Sequence, residues 1–418
     1  MLLINILNDT VRQRILLARQ IAAIATAFMI PVSTSGQAIA LFFYVLFMLL
    51  TASSEAWRTS LTSLISAIPL ALFGLILVGM LWSPTPFASG GGVSHYAKLL
   101  LIPVTMASDF TKDQAKQIGL GFLAGCLVIL VLSFISFFVV LPPPFHAIPG
   151  LPLKDNAVQS ACFALCSFGL VFIGIHAWRI GKRRGALIAM IFALLFFSDI
   201  FLIFFSKTGI LGTAALVVLL AVHIGGWRIS VTLAASIIIV VSIGLWWSPQ
   251  ARLRLTDVMA DIRFVQTQTD RSEVTLSTAS RIDFWRKALE FTEEAPLFGH
   301  GTGSTRFLYQ SLEPTRPSPY GEAVPDPHNQ FFAITIQVGL IGGALLLVMW
   351  GVHFSAFLGR DLTGVLGQAI VIQNFVGSLF NSHLSTVTQG TLYCLAVGLL
   401  AGLRKRSQVS PLPSSGQR

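Results

Sequence analysis

The sequence predicts an all-α polytopic membrane protein with about 12 transmembrane helices and one large extramembrane loop containing amphipathic helices. Hydrophobic residues make up 54% of its 418 positions and charged residues only 11%, whereas about a quarter of the residues in soluble domains are charged. Mean hydropathy is +0.76. Twelve mostly apolar stretches also approach the roughly 20 residues that a helix needs to cross a bilayer.

The predicted spans fall into two groups separated by a polar segment. Spans one to nine occupy residues 1–247, spans ten to twelve occupy 328–403, and 404–418 form a tail. The first span lacks a small-residue cleavage site, so we interpret it as a retained helix rather than a signal peptide. The predicted centres are near residues 24, 44, 71, 102, 129, 168, 195, 216, 238, 341, 373 and 395.

Charge distribution predicts the orientation of the chain. The polar segment 248–327 holds 11 of the 18 acidic residues but only 9 of the 28 basic ones. With a cytoplasmic N terminus, sixteen of the other nineteen basic residues fall on the cytoplasmic side, as the positive-inside rule requires. Both termini are therefore predicted to be cytoplasmic, and 248–327 to lie outside, which in a bacterium means the periplasm. This sorting by side argues against nucleic acid as a partner.

Three lysines, Lys98, Lys154 and Lys207, map to the outer side, against the rule. A lysine at the hydrocarbon boundary is costly unless it snorkels or has an anionic partner. Snorkelling is the simpler interpretation for Lys98 and Lys154. Lys207 lies in "FFSKTGILG", a tight connection between two apolar helices, which favours a functional cation.

The outer segment contains a predicted amphipathic helix, "SRIDFWRKALEFTEE". Arg281 and Trp285 are four residues apart and share a face, whereas Arg286 points elsewhere. The predicted apolar positions are Ile282, Trp285, Leu289 and Phe291.

A glycine-rich stretch, "APLFGHGTGSTRF", follows that helix. Its spacing is GxGxG and no strand precedes it, so it does not match the dinucleotide-binding fingerprint. We predict a tight, close-packed turn that carries Arg306 back toward the membrane.

Nothing in the sequence predicts a metal site or a cofactor. The four cysteines all lie inside apolar runs, where a free thiol acts as a small hydrophobic group.

Three motifs in one order, "SRIDFWRKAL", "PLFGHGTGSTRF" and "HNQFFAITIQVGLIGG", resemble the O-antigen ligase and polymerase superfamily, and the chain looks like an O-antigen ligase. The motifs cover about 65 residues, and the twelve-span plan extends the likeness. The resemblance implies that a polysaccharide is transferred from undecaprenyl diphosphate to a lipid A core sugar at the periplasmic face, without metal or nucleotide. Family members usually have an arginine where this chain has Lys207, so the cation is kept but its bidentate fork is lost.

Transfer from a lipid diphosphate requires cations for the leaving group and a base near the acceptor hydroxyl. Arg281, Arg306 and Lys207 are the predicted diphosphate ligands, because no metal cluster is visible to neutralise the charge. His328 is the predicted base, since imidazole titrates near neutral pH. Asp326 is a candidate to orient its ring, although Pro327 intervenes. Second-tier candidates are Arg286, Lys98, Arg316, Asn329 and His383, the last being the rival base in "FNSHLS".

Three functions stay open at this point. The first is a metal-independent, inverting glycosyltransferase that ligates O-antigen to lipid A core. The second is an O-antigen polymerase, although polymerases tend to have two sizeable outer loops. The third is a polyprenyl-linked glycan transporter or flippase, which the absence of repeat symmetry and of buried charge pairs along the spans disfavours. The sugars and the oligomeric state are not specified by the sequence.

Overall fold

A computed structural model describes residues 9–87, 92–204, 206–225, 277–312 and 326–409, with a few single residues between 242 and 260. Regular structure in these ranges is helical. The α-helices are α1 Asp9–Val32, α2 Thr34–Thr51, α3 Ser54–Leu61, α4 Leu64–Val78, α5 Leu101–Met106, α6 Lys112–Phe138, α7 Asn156–Arg179, α8 Arg183–Ser198, α9 Lys207–Ile224, α10 Ser277–Glu294, α11 Ser304–Leu312, α12 Gln330–Ala356, α13 Leu362–Ser378 and α14 Val387–Val409.

Nine helical segments within the described ranges are long and apolar enough to cross a membrane, which confirms a polytopic helical membrane protein. They are Asp9–Val32, Thr34–Thr51, Leu64–Trp82, Lys112–Phe138, Asn156–Arg179, Arg183–Ile203, Lys207–Ile224, Gln330–Ala356 and Val387–Ser407. The predicted eleventh span corresponds to α13, which is shorter, at 17 residues. The predicted ninth span, near residue 238, lies outside the described residues.

The predicted fourth span differs from a regular membrane helix. It consists of two 3₁₀ turns, Val93–His95 and Ala97–Leu100, followed by the six-residue α5. Protein covers much of this segment, since Leu99 and Ile102 are 0% exposed. An apolar run of this length fits a buried core helix better than a span, and hydropathy alone does not separate the two.

The core is built around α7, because 72% of the residues in its apolar stretch are buried by the rest of the protein. One buried cluster joins α6, α7 and α8 through Cys126, Phe163 and Phe196. A second joins α4, α12 and α14 through Leu72 and Met349, among others. All four cysteines are buried and free, as predicted.

Helix α12 is broken at Val338 (φ −130°, ψ 20°) and Gly339 (φ 68°, ψ −171°). The break lies nine residues into the helix, about 13 Å from its start at 1.5 Å per residue. It separates an outer segment, 330–337, from the rest of the span. A broken helix leaves backbone groups that need new partners in a membrane protein.

The glycine-rich turn supplies those partners. Three backbone hydrogen bonds join it to the break: Leu340 N–H to Pro296 O at 2.7 Å, His300 N–H to Ile336 O at 2.9 Å, and Gly301 N–H to Gln337 O at 2.9 Å. The Thr302 N–H also donates to Gly79 O at the outer end of α4, at 3.0 Å. The turn therefore fastens the outer segment to two spans.

Close approach explains the three glycines of the turn. Gly299, Gly301 and Gly303 all have positive φ, at 66°, 95° and 85°. A Cβ on Gly301 would lie 2.5 Å from Ser83 Cα. The predicted close-packed turn is confirmed, and it leads into α11, which carries Arg306.

The amphipathic helix predicted in the polar segment is confirmed as α10. Of its predicted apolar positions, Phe291 is buried, Ile282 and Trp285 are partly buried, and Leu289 is exposed. Phe284 and Phe291 are 4% and 3% exposed, whereas Leu289 is 50% exposed. Both phenylalanine rings meet Tyr309 of α11 edge to face. Packing against α11 therefore buries Phe284, which the spacing of apolar residues alone did not identify.

Candidate functional site

His328 stands immediately before α12 in a strained backbone conformation. Its φ is +52°, a region that non-glycine residues rarely adopt. Two contacts hold the strained segment: the His328 N–H donates to Asp326 Oδ1 at 2.9 Å, and Trp285 Nε1–H donates to Pro327 O at 3.0 Å. Such strain persists only where surrounding structure enforces it, and it clusters at functional sites.

Asp326 acts on the backbone of His328. One oxygen of its carboxylate accepts the His328 N–H and also the hydroxyl hydrogen of Ser382. The sequence suggested that Asp326 orients the imidazole ring of His328. The hydrogen bond in the structure instead joins the Asp326 carboxylate to the backbone N–H of His328, across Pro327. Asp326 also ties the start of α12 to the loop between α13 and α14.

Burial dominates the electrostatics of the His328 ring. The ring centroid lies 6.3 Å from that of Phe284, and burial lowers the pKa of His328 below its ordinary value. Asp326 raises this pKa and the Arg281 charge lowers it, while a hydrogen bond with the Asn381 side chain raises it. The pKa of Arg281 is lowered by burial and raised by Asp326. The structure thus brings Arg281 and His328 together around one carboxylate.

Asn329 is the N-cap of α12. Its side-chain oxygen accepts the N–H groups of Phe331 and Phe332 at 2.9 and 3.2 Å. Its amide nitrogen donates to Leu379 O, just beyond the end of α13, at 3.1 Å. These contacts give Asn329 a structural role in fixing the chain next to His328.

The loop 379–386 between α13 and α14 is the centre of the outer polar contacts. Gln330 Oε1 accepts the N–H groups of Leu384 and Ser385 at 2.8 and 3.1 Å. Lys98 Nζ donates to Ser385 O at 2.6 Å. Just beyond the loop, Lys154 Nζ donates to Thr388 Oγ1 at 3.3 Å. Both lysines therefore have uncharged oxygen partners, which the sequence did not predict.

His383 projects from the same loop into the helix bundle. It is 3% exposed, and neither ring nitrogen has a hydrogen-bond partner within the described part of the chain. Burial lowers its pKa to about 4. Its ring packs on Gly377 of α13 and lines a cavity with Thr208 and Gly209 of α9.

The remaining predicted cations lie on separate elements. Lys207 is the first residue of α9, directly after its N-cap Ser206. Arg286 on α10 and Arg306 on α11 are exposed, as expected for Arg286. Arg316 lies outside the described residues.

Comparison with known proteins shows that residues 192–347 match a family model described as O-antigen ligase. This stretch contains Lys207, Arg281, Arg306 and His328, and the match confirms the resemblance predicted from the motifs. No curated protein matches the chain. The match indicates a glycosyltransferase-like enzyme of the O-antigen ligase and polymerase group, with a polysaccharide or lipid-linked substrate.

The loop 379–386 lies beyond the O-antigen ligase match. Of its residues only His383 was predicted, while Asn381 and Ser382, which contact His328 and Asp326, were missed. Short polar side chains in a loop carry no distinguishing pattern. Only the packing of α13 against α12 brings them to His328 and Asp326.

A buried carboxyl group inside the O-antigen ligase match was also missed. Asp199 begins a π-helical turn, Asp199–Ile203, and is 2% exposed. It accepts hydrogen bonds from the Ser133 hydroxyl and from Gln159 Nε2, the latter at 3.1 Å. Gln159 Nε2 also donates to Gly150 O at 2.8 Å, and the Ser133 hydroxyl oxygen lies 2.9 Å from the same carbonyl oxygen. The available signal was a lone acid in the apolar run "FFSDIFLIFF", since ionisable residues inside spans are rare.

Proposed function

We propose that the protein is a metal-independent, inverting glycosyltransferase that ligates undecaprenyl-diphosphate-linked O-antigen to a lipid A core sugar. The reaction takes place at the periplasmic face of the bacterial inner membrane, with both termini in the cytoplasm and residues 248–327 outside. The observation that carries the proposal is the strained His328 beside Arg281, within the O-antigen ligase match.

His328 is the general base in this proposal. Its lowered pKa favours the neutral ring, whose free nitrogen lone pair accepts the proton of the acceptor hydroxyl. The acceptor oxygen attacks the anomeric carbon and forms the new C–O bond. The bond from that carbon to the phosphate oxygen breaks, and its electron pair leaves with undecaprenyl diphosphate. This single displacement inverts the configuration.

Arg281, Arg306 and Lys207 bind the leaving diphosphate. Of these three cations, Arg281 is the one whose charge acts on the pKa of His328, so it lies in the same site as the base. Lys207 stands at the start of α9, where the helix dipole favours anions. Charge-assisted hydrogen bonds to phosphate are about twice as strong as neutral ones. Lys98 supports the site indirectly by holding the loop 379–386.

The test is transfer in vitro with purified full-length protein, lipid-linked glycan and lipid A core. His328→Ala should lower the rate by about 10²–10⁴-fold, the usual contribution of a general base. His146→Ala is the matched control, because His146 is exposed in an outer loop. Transfer at the wild-type rate by folded His328→Ala would exclude this base. A chelator should leave the rate unchanged, and loss of transfer would contradict metal independence.

An O-antigen polymerase is the second candidate, because the family match includes this type of enzyme. The same assay without lipid A core distinguishes them. A ligase leaves lipid-linked glycan unchanged, whereas a polymerase lengthens it. Movement of labelled donor across proteoliposomes without transfer to either acceptor would instead favour the transporter.

A further inference from the structure

A cavity unlike the His328 site lies between the first turns of α7 and α9 and the last turns of α13. Its polar lining comes from Ser160, Thr208, Gln373 and His383, and the other lining residues are alanine or glycine. The small residues leave room for a group of about the size of a water molecule. No carboxylate lines it.

His383 is the group in this cavity that lacks a partner. Both ring nitrogens are buried without a hydrogen bond in the described part of the protein. Its ring packs directly against Gly377, where a Cβ would overlap Cε1 of the ring. Buried polar groups in native proteins are nearly always hydrogen-bonded. A buried imidazole that lines a cavity and has no hydrogen-bond partner in the described residues is therefore available to a ligand.

The surroundings of the cavity favour an anionic oxygen. Helices α7 and α9 both begin there, so the positive ends of their dipoles lie at the cavity, where they favour an anion. Lys207 is the first residue of α9. Asp155, the N-cap of α7, is exposed and its carboxylate is engaged with the Val158 N–H at 3.0 Å.

We propose that the cavity receives a phosphate oxygen of the lipid-linked donor, with His383 and Thr208 as its hydrogen-bond donors. The inference rests on the proposed function and gives His383 the role of a phosphate ligand. Loop 379–386 then contacts both the proposed base and the leaving group. Asn381 and Ser382 contact the base and Asp326, and the next residue contacts the leaving group.

The test measures binding of inorganic pyrophosphate to the full-length protein in detergent by calorimetry. His383→Ala and the isosteric Thr208→Val should each weaken pyrophosphate binding about tenfold, equivalent to about 1.4 kcal/mol. His146→Ala should bind as the wild type does. His383→Gln keeps a hydrogen-bond donor and most of the side-chain volume, so this variant should bind pyrophosphate with intermediate affinity. It replaces the alanine variant in the test if that variant does not fold.

Two results would overturn the inference. One is a wild-type protein that does not bind pyrophosphate. The other is unchanged affinity in folded His383→Gln and Thr208→Val, which would leave the cavity as a water site. His328→Ala separates this inference from the proposed function, because it should keep pyrophosphate affinity and lose transfer. The predicted binding pattern without glycan transfer to core would contradict the proposed function alone.

Discussion

Gly339→Ala tests whether docking of the glycine-rich turn holds the outer segment in place. Gly339 combines φ 68° with ψ −171°, a conformation that is essentially restricted to glycine. A Cβ there would overlap the carbonyl of Leu297 and the peptide that follows it. The turn would have to move away from the break in α12.

The magnitude follows from the contacts that would be lost. Backbone strain costs about 1–3 kcal/mol, and each of the three backbone hydrogen bonds across the break contributes about 0.5–1.5 kcal/mol. The expected destabilisation is about 3–7 kcal/mol if all are lost. Because 1 kcal/mol shifts Tm by about 2–4 °C in domains of 150–250 residues, the drop should be of the order of 10 °C.

Gly351→Ala provides the matched control in the same helix. A Cβ on Gly351 would have no neighbouring atom within 4 Å, so alanine fits without displacement. Alanine also has the higher helix propensity, which predicts equal or slightly greater stability. Thermal unfolding in detergent and glycan transfer should be measured for both variants. If the two variants have the same Tm, docking of the turn does not contribute much to the stability of α12.

Two further predictions concern protonation and the buried acid. The acid limb of the pH dependence of kcat/KM reports His328, because transfer requires its neutral ring, which is lost as pH falls through its pKa. Asp326 raises that pKa and Arg281 lowers it. Asp326→Asn should therefore move the acid limb to lower pH, and Arg281→Gln should move it to higher pH. An acid limb that stays in place in both variants would exclude His328 as the titrating base. Separately, Asp199→Ala removes the acceptor for Ser133 and Gln159 and should cost about 1–3 kcal/mol of stability. Asp199→Asn, which keeps an acceptor, should cost less in thermal unfolding, and equal losses would contradict a hydrogen-bonding role.

Helix positions were largely predictable because apolar composition over about 20 residues is a direct physical requirement of the bilayer. The segment 93–106 was mistaken for a span because composition does not reveal whether lipid or protein covers a helix. Asn329 shows the same limit on a smaller scale. Its place beside His328 made it a second-tier site candidate, and the contacts with Phe331 and Phe332 show that it caps α12.

The candidate site was predictable where charge and aromatic residues form a local pattern. Arg281, Trp285 and His328 come from two segments with recognisable motifs, and the structure brings them together. The contribution of Asp326 through a backbone N–H could not be predicted, because it depends on the left-handed conformation of His328. The burial of His383 likewise depends on how α7, α9 and α13 pack.

The docked turn also has a consequence for the order of membrane insertion. The turn precedes α12 in the chain, and domains generally form from the N-terminal end during synthesis. The turn that pairs the carbonyl groups of Ile336 and Gln337 and the N–H of Leu340 has therefore already been synthesised when this helix enters the lipid. If the same elements were synthesised in the opposite order, the helix would have to cross the bilayer with those groups unpaired.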